Sequence, residues 1–500
     1  MDLGTTSLRA LVVDREGAVL GQASAPYPTA QPYPGWTEQQ PEDWWQACRS
    51  AVSDLRARGL LARHRRVRAI GLTGQMHGSV LLDRQLSVLR PAILWNDQRT
   101  ATEAAEIEER VGQRRLLALT GNRALTGFTA PKVLWLRHHE PDHFRRLRHL
   151  LLPKDYLRLR LTGELATDVA DASGTLFFDV RARRWSGEVM RLLDLDEGLL
   201  PTALESPAVS GRVTASAAAD LGLPEGTPVV AGAGDQAAGA VGAGAVSPGV
   251  VMVSIGTSGV VFTAAERPAV ERGGRLHAFC HAVPGLWHVM GVMLSAGGSF
   301  AWLASTLGKS EEHLSKVASS STAGTGGLLF LPYLSGERTP HADPLARGAF
   351  VGLTASHGPG DLARAVMEGV AFGLRDCLEL VRALRLPIRE VRLIGGGARS
   401  PLWRQIVADV FGLPILGLEA EEGAAYGAAL LAGVGAGLWR DVPEACRAAV
   451  RTAGHIEPQP QTMRLYDDLY GRYRDLYPKL KGSFAALHDL TASAPPAGAP

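Results

Sequence analysis

Two short segments combine glycine with hydroxyl side chains in a way that suits phosphate binding. They are Gly4-Thr5-Thr6-Ser7 and Gly256-Thr257-Ser258-Gly259. Glycine brings backbone N–H groups close to an anion because it has no side chain, and threonine and serine add hydroxyl donors. One such segment alone is more typical of an ordinary turn, but its recurrence favours a phosphate site. The candidate phosphate-binding residues are Gly4, Thr5, Thr6, Gly256, Thr257 and Ser258.

A third glycine cluster, Gly395-Gly396-Gly397, lies between a predicted strand and a predicted helix. Ser400 stands at the position of an N-cap and Pro401 at the first helical position. The first turn of a helix has N–H groups without intrahelical partners, and these attract anions. Gly396, Gly397 and Ser400 are therefore further candidates for binding a nucleotide.

Asp235 follows a predicted strand and is flanked by small residues. Transfer of a phosphoryl group to an alcohol needs a carboxylate that takes the hydroxyl proton, and Asp235 is the candidate for this general base. The alternative is a structural N-cap for a helix that begins near Gln236. Asp2 precedes the first hydroxyl segment, where a carboxylate can hold Mg²⁺ against phosphates. The alternative for Asp2 is a frayed terminal residue.

The sequence contains partial matches to two other nucleotide-binding motifs. Gly308-Lys309-Ser310 resembles the end of a P-loop, but Leu303 occupies the position of its first glycine. The run from Gly232 to Ala237 fits the dinucleotide fingerprint G-x-G-x-x-A, which makes an NAD(P)-dependent dehydrogenase an alternative function. Asp235 would then stand where a pyrophosphate binds, and the two negative charges oppose each other.

Several polar side chains are suited to an uncharged ligand rich in hydroxyl groups. Trp95, which precedes Asn96 in the chain, is suited either to stacking on a sugar or to packing in the core. A histidine at a strand end such as His77 is more often structural than catalytic. The candidate substrate-binding residues are Gln75, Met76, His77, Asn96, Lys154 and Gln236.

The elements around these residues are those of an α/β protein with a repeated half. Leu8–Val13 and the residues from Ala18 read as a β-hairpin, and the pattern of strand, Gly-Thr-Ser turn and strand recurs at Val250–Phe262. A helix is predicted from Pro41. The repeat predicts two similar halves that meet near residue 245 across a cleft. The tail from Gly482 is rich in small residues and is predicted to be disordered.

Composition excludes several classes of protein. Of the 500 residues, 46% are hydrophobic and 20% charged, which is typical of a folded chain with a large core. The net charge of +2 argues against nucleic acid or a membrane surface as the main partner. Four widely spaced cysteines predict reduced thiols. The sequence opens without an export signal, so we expect a cytoplasmic protein.

Together these residues resemble the FGGY carbohydrate kinases, which share the fold of actin and hexokinase. The resemblance covers roughly residues 1 to 480 and is strongest to the members that phosphorylate D-xylulose at its 5-hydroxyl. It implies two ribonuclease-H-like domains with mixed five-stranded sheets flanked by helices and a cleft between them. The segments that carry it are Gly71–Gly78, Arg90–Asp97, Gly127–Trp135, Leu152–Tyr156, Thr167–Ser173, Phe330–Pro340, Gly348–Glu368 and Ile394–Ser400.

The resemblance implies roles for individual residues. Asp235 matches the general base, Met76 and His77 match the substrate-binding pair, and Asp2 matches an acid near metal and phosphates. Residues at nucleotide-lining positions are Thr257, Gly297, Gly397 and Ala398. The substrates implied are a ketose and ATP with Mg²⁺, and a homodimer is left open. The predicted domains are 1–245 for the sugar and the first phosphate segment, 246–481 for the nucleotide, and a disordered tail at 482–500.

Alternatives to this function remain at the level of sequence. The nearest is another kinase of the same fold, of the ribulokinase or gluconokinase type, and a more distant one is a sugar or nucleotide sensor without activity. Two positions depart from the family pattern. The chain begins at the Asp of a motif that lies further inside the first strand in relatives, so we expect Asp2 to be poorly held. Gln236 replaces an asparagine and extends one methylene further.

Overall fold

A computed structural model describes residues 1–61, 67–419 and 423–492. They form two compact units. The first comprises Met1–Pro248, Ala264–Val289 and Glu422–Arg451, and the second comprises Gly249–Thr263, Met290–Glu421 and Thr452–Pro500. The prediction of one boundary at residue 245 is therefore incomplete, because two later segments of the chain return to the first unit.

The strands are numbered in chain order. As far as residue 248 they are β1 (Asp2–Leu3), β2 (Ser7–Val13), β3 (Val19–Pro26), β4 (Glu38–Gln39), β5 (Thr73–Gly74), β6 (Val80–Leu82), β7 (Ala92–Ile93), β8 (His149–Leu151), β9 (Ala166–Asp168), β10 (Phe178–Asp179), β11 (Arg184–Trp185), β12 (Thr202–Leu204), β13 (Val209–Arg212), β14 (Pro228–Val230) and β15 (Ala233–Gly234). The later strands are β16 (Gly249–Ile255), β17 (Gly259–Ala265), β18 (His277–Cys280), β19 (Trp287–Met293), β20 (Leu329–Leu331), β21 (Ala349–Val351), β22 (Ile388–Ile394), β23 (Ile415–Leu418) and β24 (Thr452–Ile456).

The helices are numbered in the same way. They are α1 (Pro41–Ala57), α2 (Ala101–Ile107), α3 (Gln113–Thr120), α4 (Thr129–His139), α5 (Pro141–Arg146), α6 (Pro153–Thr162), α7 (Val169–Ala172), α8 (Gly187–Leu192), α9 (Ala215–Leu221), α10 (Asp235–Gly242), α11 (Gly297–Thr306), α12 (Glu311–Ala318), α13 (Pro359–Ala383), α14 (Pro401–Phe411), α15 (Gly423–Gly435), α16 (Val442–Ala449) and α17 (Pro460–Ala492). A π-helical turn spans Glu108–Gly112, and 3₁₀ turns span Ser173–Thr175, Glu197–Leu199, Thr325–Gly327 and Gly396–Arg399.

The first unit is built on a five-stranded mixed sheet in the order β15-β5-β1-β2-β3. The hairpin β2–β3 is antiparallel, as predicted, while β1 and β15 both run parallel to β5. Helix α1 begins at Pro41, also as predicted, and its buried face contains Trp44, Trp45 and Val52. Pro41 suits this position because the first helical N–H has no intrahelical acceptor to lose.

Helix α15 completes the first unit from far along the chain. It packs on α10 so closely that a Cβ atom on Gly427 would overlap the carbonyl of Ala238, and one on Gly242 would overlap the carbonyl of Gly423. A Cβ atom on Gly71 would likewise overlap the carbonyl of Ala428 in α15. Glycine at these points allows the backbones to approach where any side chain would separate them.

The second unit has a sheet with the same plan. From β19 the strand order is β19-β17-β16-β22-β23-β24. The hairpin β16–β17 is antiparallel, and β22 joins β16 in parallel. In both sheets, then, the first strand, β1 or β16, pairs antiparallel with the next strand on one side and parallel with a later strand on the other, and one more parallel strand follows there. This arrangement confirms the predicted repeat of a ribonuclease-H-like fold.

The C-terminal helix corrects one prediction. Residues 482–492 continue α17, and Phe484 is buried in the same apolar core of the second unit to which Tyr466 and Tyr473 of this helix belong. Disorder from residue 482 is therefore wrong for this stretch, and residues 493–500 lie outside the described part. The basic stretch from Arg56 to Arg68 is predicted from its helical spacing of apolar residues to form a solvated helix face, but its residues 62–66 lie outside the described part. Across the described ranges, no helix is both long and apolar enough to span a membrane.

Candidate active site

Asp235 is the first residue of α10 and directly follows β15. Gly234, and not Asp235, is the N-cap, and no side chain caps this helix. The alternative interpretation of Asp235 as an N-cap is therefore wrong. A Cβ atom on Gly234 would lie 2.7 Å from Cγ of Met76, so only glycine lets the strand that carries Asp235 approach the predicted substrate segment.

The environment of Asp235 raises the pKa of its carboxyl from 3.8 to about 7. Burial is the main cause, and the negative charge of Asp2 adds to it. The backbone N–H and the side chain of Gln236 both hydrogen-bond to the carboxylate and partly offset the shift. A carboxyl group poised near neutral pH can accept a proton and release it again, which is what a general base requires.

Asp2 is firmly held. It lies in β1, paired with Arg9 of β2 on one side and with Thr73 of β5 on the other. The amino group of Met1 donates a hydrogen bond of 2.9 Å to the carbonyl oxygen of Gly71. The expectation of a poorly held Asp2 is therefore wrong. Burial raises the pKa of Asp2, and the amino terminus and Arg9 lower it.

Gln75, Met76 and His77 follow β5. His77 has a left-handed backbone with φ +66°, and its Nδ1 lies 2.7 Å from the carbonyl oxygen of Gly174. A Cβ atom on Gly174 would lie 2.7 Å from the imidazole ring and 3.2 Å from the methyl group of Met76. Gly174 therefore allows both substrate-segment side chains to occupy their positions.

The backbone of His77 is fixed from a second side. Its carbonyl oxygen accepts hydrogen bonds from Nζ of Lys132 at 2.7 Å and from the hydroxyl of Thr129 at 3.1 Å. Phe128 packs edge-on against the imidazole with 4.6 Å between ring centroids. Burial lowers the pKa of Lys132 well below its ordinary value. Lys132 belongs to the family segment Gly127–Trp135, but no signal in the sequence predicts this contact with His77.

Lys154 does not have the exposure expected of a direct sugar ligand. It is fully buried, and its Nζ lies 2.7 Å from Asp155, 2.7 Å from Asp168 and 3.1 Å from Asp171. This set of one lysine and three aspartates is called the Lys154 cluster. The prediction of substrate contact by Lys154 is therefore corrected, because its charge is already neutralised by carboxylates.

Gln75 and Asn96 each retain a buried oxygen that accepts no hydrogen bond within residues 1–61, 67–419 and 423–492. Gln75 is buried and donates to Gln39 at 2.9 Å, and Asn96 is half-buried. Trp95 is also half-buried and donates from Nε1 to the hydroxyl of Thr5 at 3.1 Å, so it supports the first phosphate segment. The structure thus brings these residues to the same unit as Asp235.

The segment Gly4–Ser7 forms the turn between β1 and β2, called the first tip. The N–H of Gly4 donates to the carbonyl of Ser7, and the carbonyls of Gly4 and Thr5 accept from Tyr27 and Gln39. The backbone N–H groups of Thr5 and Thr6 donate to no acceptor in the described part of the chain. Because the carbonyl groups of this turn accept hydrogen bonds from the protein, its unpaired N–H groups are available to donate to a bound anion.

The segment Gly256–Ser258 of the second unit is called the second tip, and it is built alike. The N–H of Gly256 donates to the carbonyl of Ser258 at 3.0 Å. Gly297 packs so tightly against this tip that a Cβ atom would lie 2.5 Å from the carbonyl oxygen of Gly256. The N–H groups of Thr257 and Ser258 again have no acceptor among the residues described.

The third glycine cluster adjoins the second tip. Gly395 has φ +88°, and a Cβ atom there would lie 2.7 Å from the carbonyl oxygen of Ile255. Gly395, Ala398 and Arg399 line a cavity of about 330 Å³ in the second unit. Gly397 instead packs against the Ile255 side chain, and the Ser400 hydroxyl accepts the N–H of Trp403 as an N-cap. Gly396, Gly397 and Ser400 do not line this cavity, and their contact with a nucleotide stays a prediction.

A near-neutral carboxyl group and turns that can bind phosphate are suited to an enzyme that phosphorylates a hydroxyl group. The chain matches the FGGY family of carbohydrate kinases, N-terminal domain, over residues 1–242, and the C-terminal domain of the same family over residues 251–436. The chain belongs to this family. It is a sugar kinase, and ATP is the phosphoryl donor that this family uses.

Individual relatives cover almost the whole chain. The xylulose kinase of Escherichia coli (strain K12) is 43% identical over 482 residues, which are 96% of this chain and 98% of that protein. The crystal structure of a "xyloylose kinase" from Brucella ovis is 42% identical with a TM-score of 0.91, covering 96% and 98% of the two chains. A gluconate kinase from Lactobacillus acidophilus has a TM-score of 0.92 at 26% identity, covering 97% and 98%. The fold alone therefore does not distinguish the sugars.

Proposed function

We propose that this chain transfers the γ-phosphoryl group of ATP to the 5-hydroxyl of D-xylulose, giving D-xylulose 5-phosphate. The observation that carries this proposal is the packing of Gly234 on Met76, which places a carboxyl group with a pKa of about 7 beside the Met76–His77 segment. The names of the most similar relatives support the choice of ketose.

In this mechanism Asp235 accepts the proton of the sugar hydroxyl as the new O–P bond forms. Nδ1 of His77 donates to the carbonyl of Gly174, and this bond fixes the orientation of the imidazole ring next to Met76. Gln75 and Asn96 contribute oxygens that accept hydrogen bonds, and Gln236 orients the carboxylate of Asp235.

The second tip binds the phosphate groups through the N–H groups of Thr257 and Ser258, and the first tip does the same through Thr5 and Thr6. Such preorganised donors stabilise the charge that spreads over the phosphoryl oxygens in the transition state. We propose that the adenosine of ATP binds in the cavity lined by Gly395, Ala398 and Arg399.

Magnesium fits the residues at the first tip. Mg²⁺ is commonly held by one or two carboxylates together with substrate phosphates and water, and Asp2 is a carboxylate beside hydroxyl groups. The described residues contain no cluster of three or more His, Cys, Asp or Glu that would hold a metal without phosphates. Bound there, Mg²⁺ would neutralise phosphate charge, and Asp2 would be its protein ligand.

The charges of the first unit favour a neutral ketose over an acidic sugar. Lys132 donates to the carbonyl of His77, and Lys154 lies beside Gly74, but both are fully buried and donate to oxygen acceptors of the protein. Asp2 and Asp235 add carboxylates to the same unit. Neither lysine is therefore available to pair with a carboxylate such as that of gluconate.

A coupled assay that follows ADP formation tests this function. D-xylulose, D-ribulose, gluconate and glycerol are compared at equal concentration with the purified chain and MgATP. We expect the highest kcat/KM for D-xylulose and the lowest for gluconate. Equal use of the four compounds, or a preference for gluconate, would refute the assignment.

A further inference from the structure

The position of the second tip is determined by the segment 296–298, at the start of α11. The N–H groups of Ala296 and Gly298 donate to the carbonyl of Thr257 at 2.8 and 3.1 Å, and that of Gly297 donates to the carbonyl of Gly256 at 2.7 Å. These bonds turn the carbonyls of the tip inward. Any displacement of the segment would displace the phosphate-binding N–H groups with it.

This segment follows β19, whose end is attached to one loop. The N–H of Leu294 donates to Oε1 of Glu337 at 3.1 Å. Two residues earlier, Val292 donates to the hydroxyl of Thr339 at 3.1 Å and accepts the N–H of Thr339 at 2.9 Å. Residues 336–343, called the Glu337 loop, therefore hold the last residues before the glycine segment.

The Glu337 loop is itself rigidly supported. Glu337 and Asp343 exchange two backbone hydrogen bonds of 2.9 and 2.8 Å across the loop. The hydroxyl of Tyr477, from α17, donates to Asp343 at 2.6 Å, and the ring of His341 stacks on Tyr477 with 3.5 Å between centroids. The loop thus connects the C-terminal helix to the strand that leads to the tip.

The side chain of Glu337 serves as a hydrogen-bond acceptor. It is 2% exposed, and its Oε1 accepts from both Leu294 and the N–H of Arg338, the latter at 2.7 Å. Burial raises the pKa of Glu337 to about 8. Its Oε2 has no partner among the described residues. The contact between the strand end and this side chain is therefore made through the single acceptor atom Oε1.

We propose that Glu337 is a positioning residue for nucleotide binding, which fixes the second tip through Leu294 and the segment 296–298. This inference rests on the proposed function of the second tip as a phosphate-binding turn. Glu337 acts through the backbone and does not touch the substrates.

Three variants of Glu337 distinguish the loss of its acceptor oxygen from a change in the charge or the length of its side chain. Glu337→Gln keeps an acceptor oxygen at the same reach, Glu337→Asp keeps a carboxyl group but shortens the reach by one methylene, and Glu337→Ala removes the group. The matched control is Glu368→Ala. Glu368 is equally buried in the second unit, but its partners are Gly324, Arg364 and Tyr466, away from the tip. ATP affinity is measured by calorimetry without sugar, and KM values follow from the coupled assay.

We expect Glu337→Asp and Glu337→Ala to weaken ATP binding about tenfold, the effect of losing a buried hydrogen bond. Glu337→Gln should stay within about twofold of the unaltered chain, as should the KM for D-xylulose in all variants and ATP binding in Glu368→Ala. Unchanged ATP affinity in folded Glu337→Asp, or equal weakening in Glu337→Gln or the control, would overturn the proposal. Since ATP binding is measured without sugar, an unaltered chain that binds ATP but does not phosphorylate D-xylulose would contradict only the function proposed above.

Discussion

Replacing Asp235 by asparagine should increase stability while abolishing most activity. The folded chain raises the pKa of this carboxyl from 3.8 to about 7, so ionisation of Asp235 opposes folding. One pKa unit corresponds to about 1.4 kcal/mol, and the shift therefore amounts to at most about 4 kcal/mol. The Asp235→Asn variant would have no such cost because an amide does not ionise, whereas turnover should fall by about 10² to 10⁴ with loss of the base.

The pH dependence gives this prediction a definite sign. Between pH 4 and 7 the unfolded state releases the Asp235 proton first, so the unaltered chain loses stability as pH rises through this range. Below pH 4 both states are protonated, and the advantage of Asp235→Asn should vanish. Its free energy of unfolding in urea should therefore exceed that of the unaltered chain at pH 8 and approach it near pH 4.

Two measurements decide the matter. Urea unfolding is followed at several pH values, and kcat is measured with MgATP and D-xylulose. Asp468→Asn, an exposed aspartate on α17, is the control that should change neither quantity. An Asp235→Asn variant with kcat within tenfold of the unaltered chain, or with the same stability difference at pH 4 and pH 8, would show that Asp235 is not a strained general base.

Three further substitutions test the other parts of the site. Gly174→Ala puts a methyl group 2.7 Å from the His77 ring, so KM for D-xylulose should rise about tenfold or more while ATP affinity stays unchanged; equal loss of both would argue against a local effect. Gly297→Ala would collide with the carbonyl of Gly256, and calorimetry should show ATP binding weakened about tenfold or more with sugar affinity retained. Lys154→Met leaves the buried carboxylates of Asp168 and Asp171 without their cation, whereas Asp155 keeps Arg158 at 3.2 Å, and urea unfolding at pH 8 should show a loss of about 3–5 kcal/mol. A loss below about 1 kcal/mol would mean that the two carboxylates are stabilised by other groups.

The sequence predicted elements whose signals are local. The hairpin β2–β3 and its counterpart β16–β17 follow from alternating apolar residues around tight turns, and α14 begins at Pro401 behind its Ser400 cap. Asp235 was found because a lone acid among small residues stands out. Such features depend on neighbours within a few positions of the chain.

What escaped prediction depends on contacts between distant residues. The Lys154 cluster joins residues from α6, β9 and α7, and the sequence, which offered Lys154 as a polar candidate for substrate binding, does not show that these distant residues meet. The end of α17 has a weakly patterned sequence, and its order comes from burying Phe484 in the second unit. A glycine run does not reveal which of its members faces the core, and only the structure shows that Gly397 packs against the Ile255 side chain.

The close packing of α15 on α10 has a consequence for the order in which the protein is made. The helix that begins with Asp235 is translated early, but its partner is complete only at residue 435, almost two hundred residues later. At ordinary rates of translation this interval is roughly ten to forty seconds. During that time the glycine faces of α10 lack their native cover, so the nascent first unit is exposed to chaperones and proteases. The helix that begins with Asp235 therefore receives its native packing partner only near the end of synthesis.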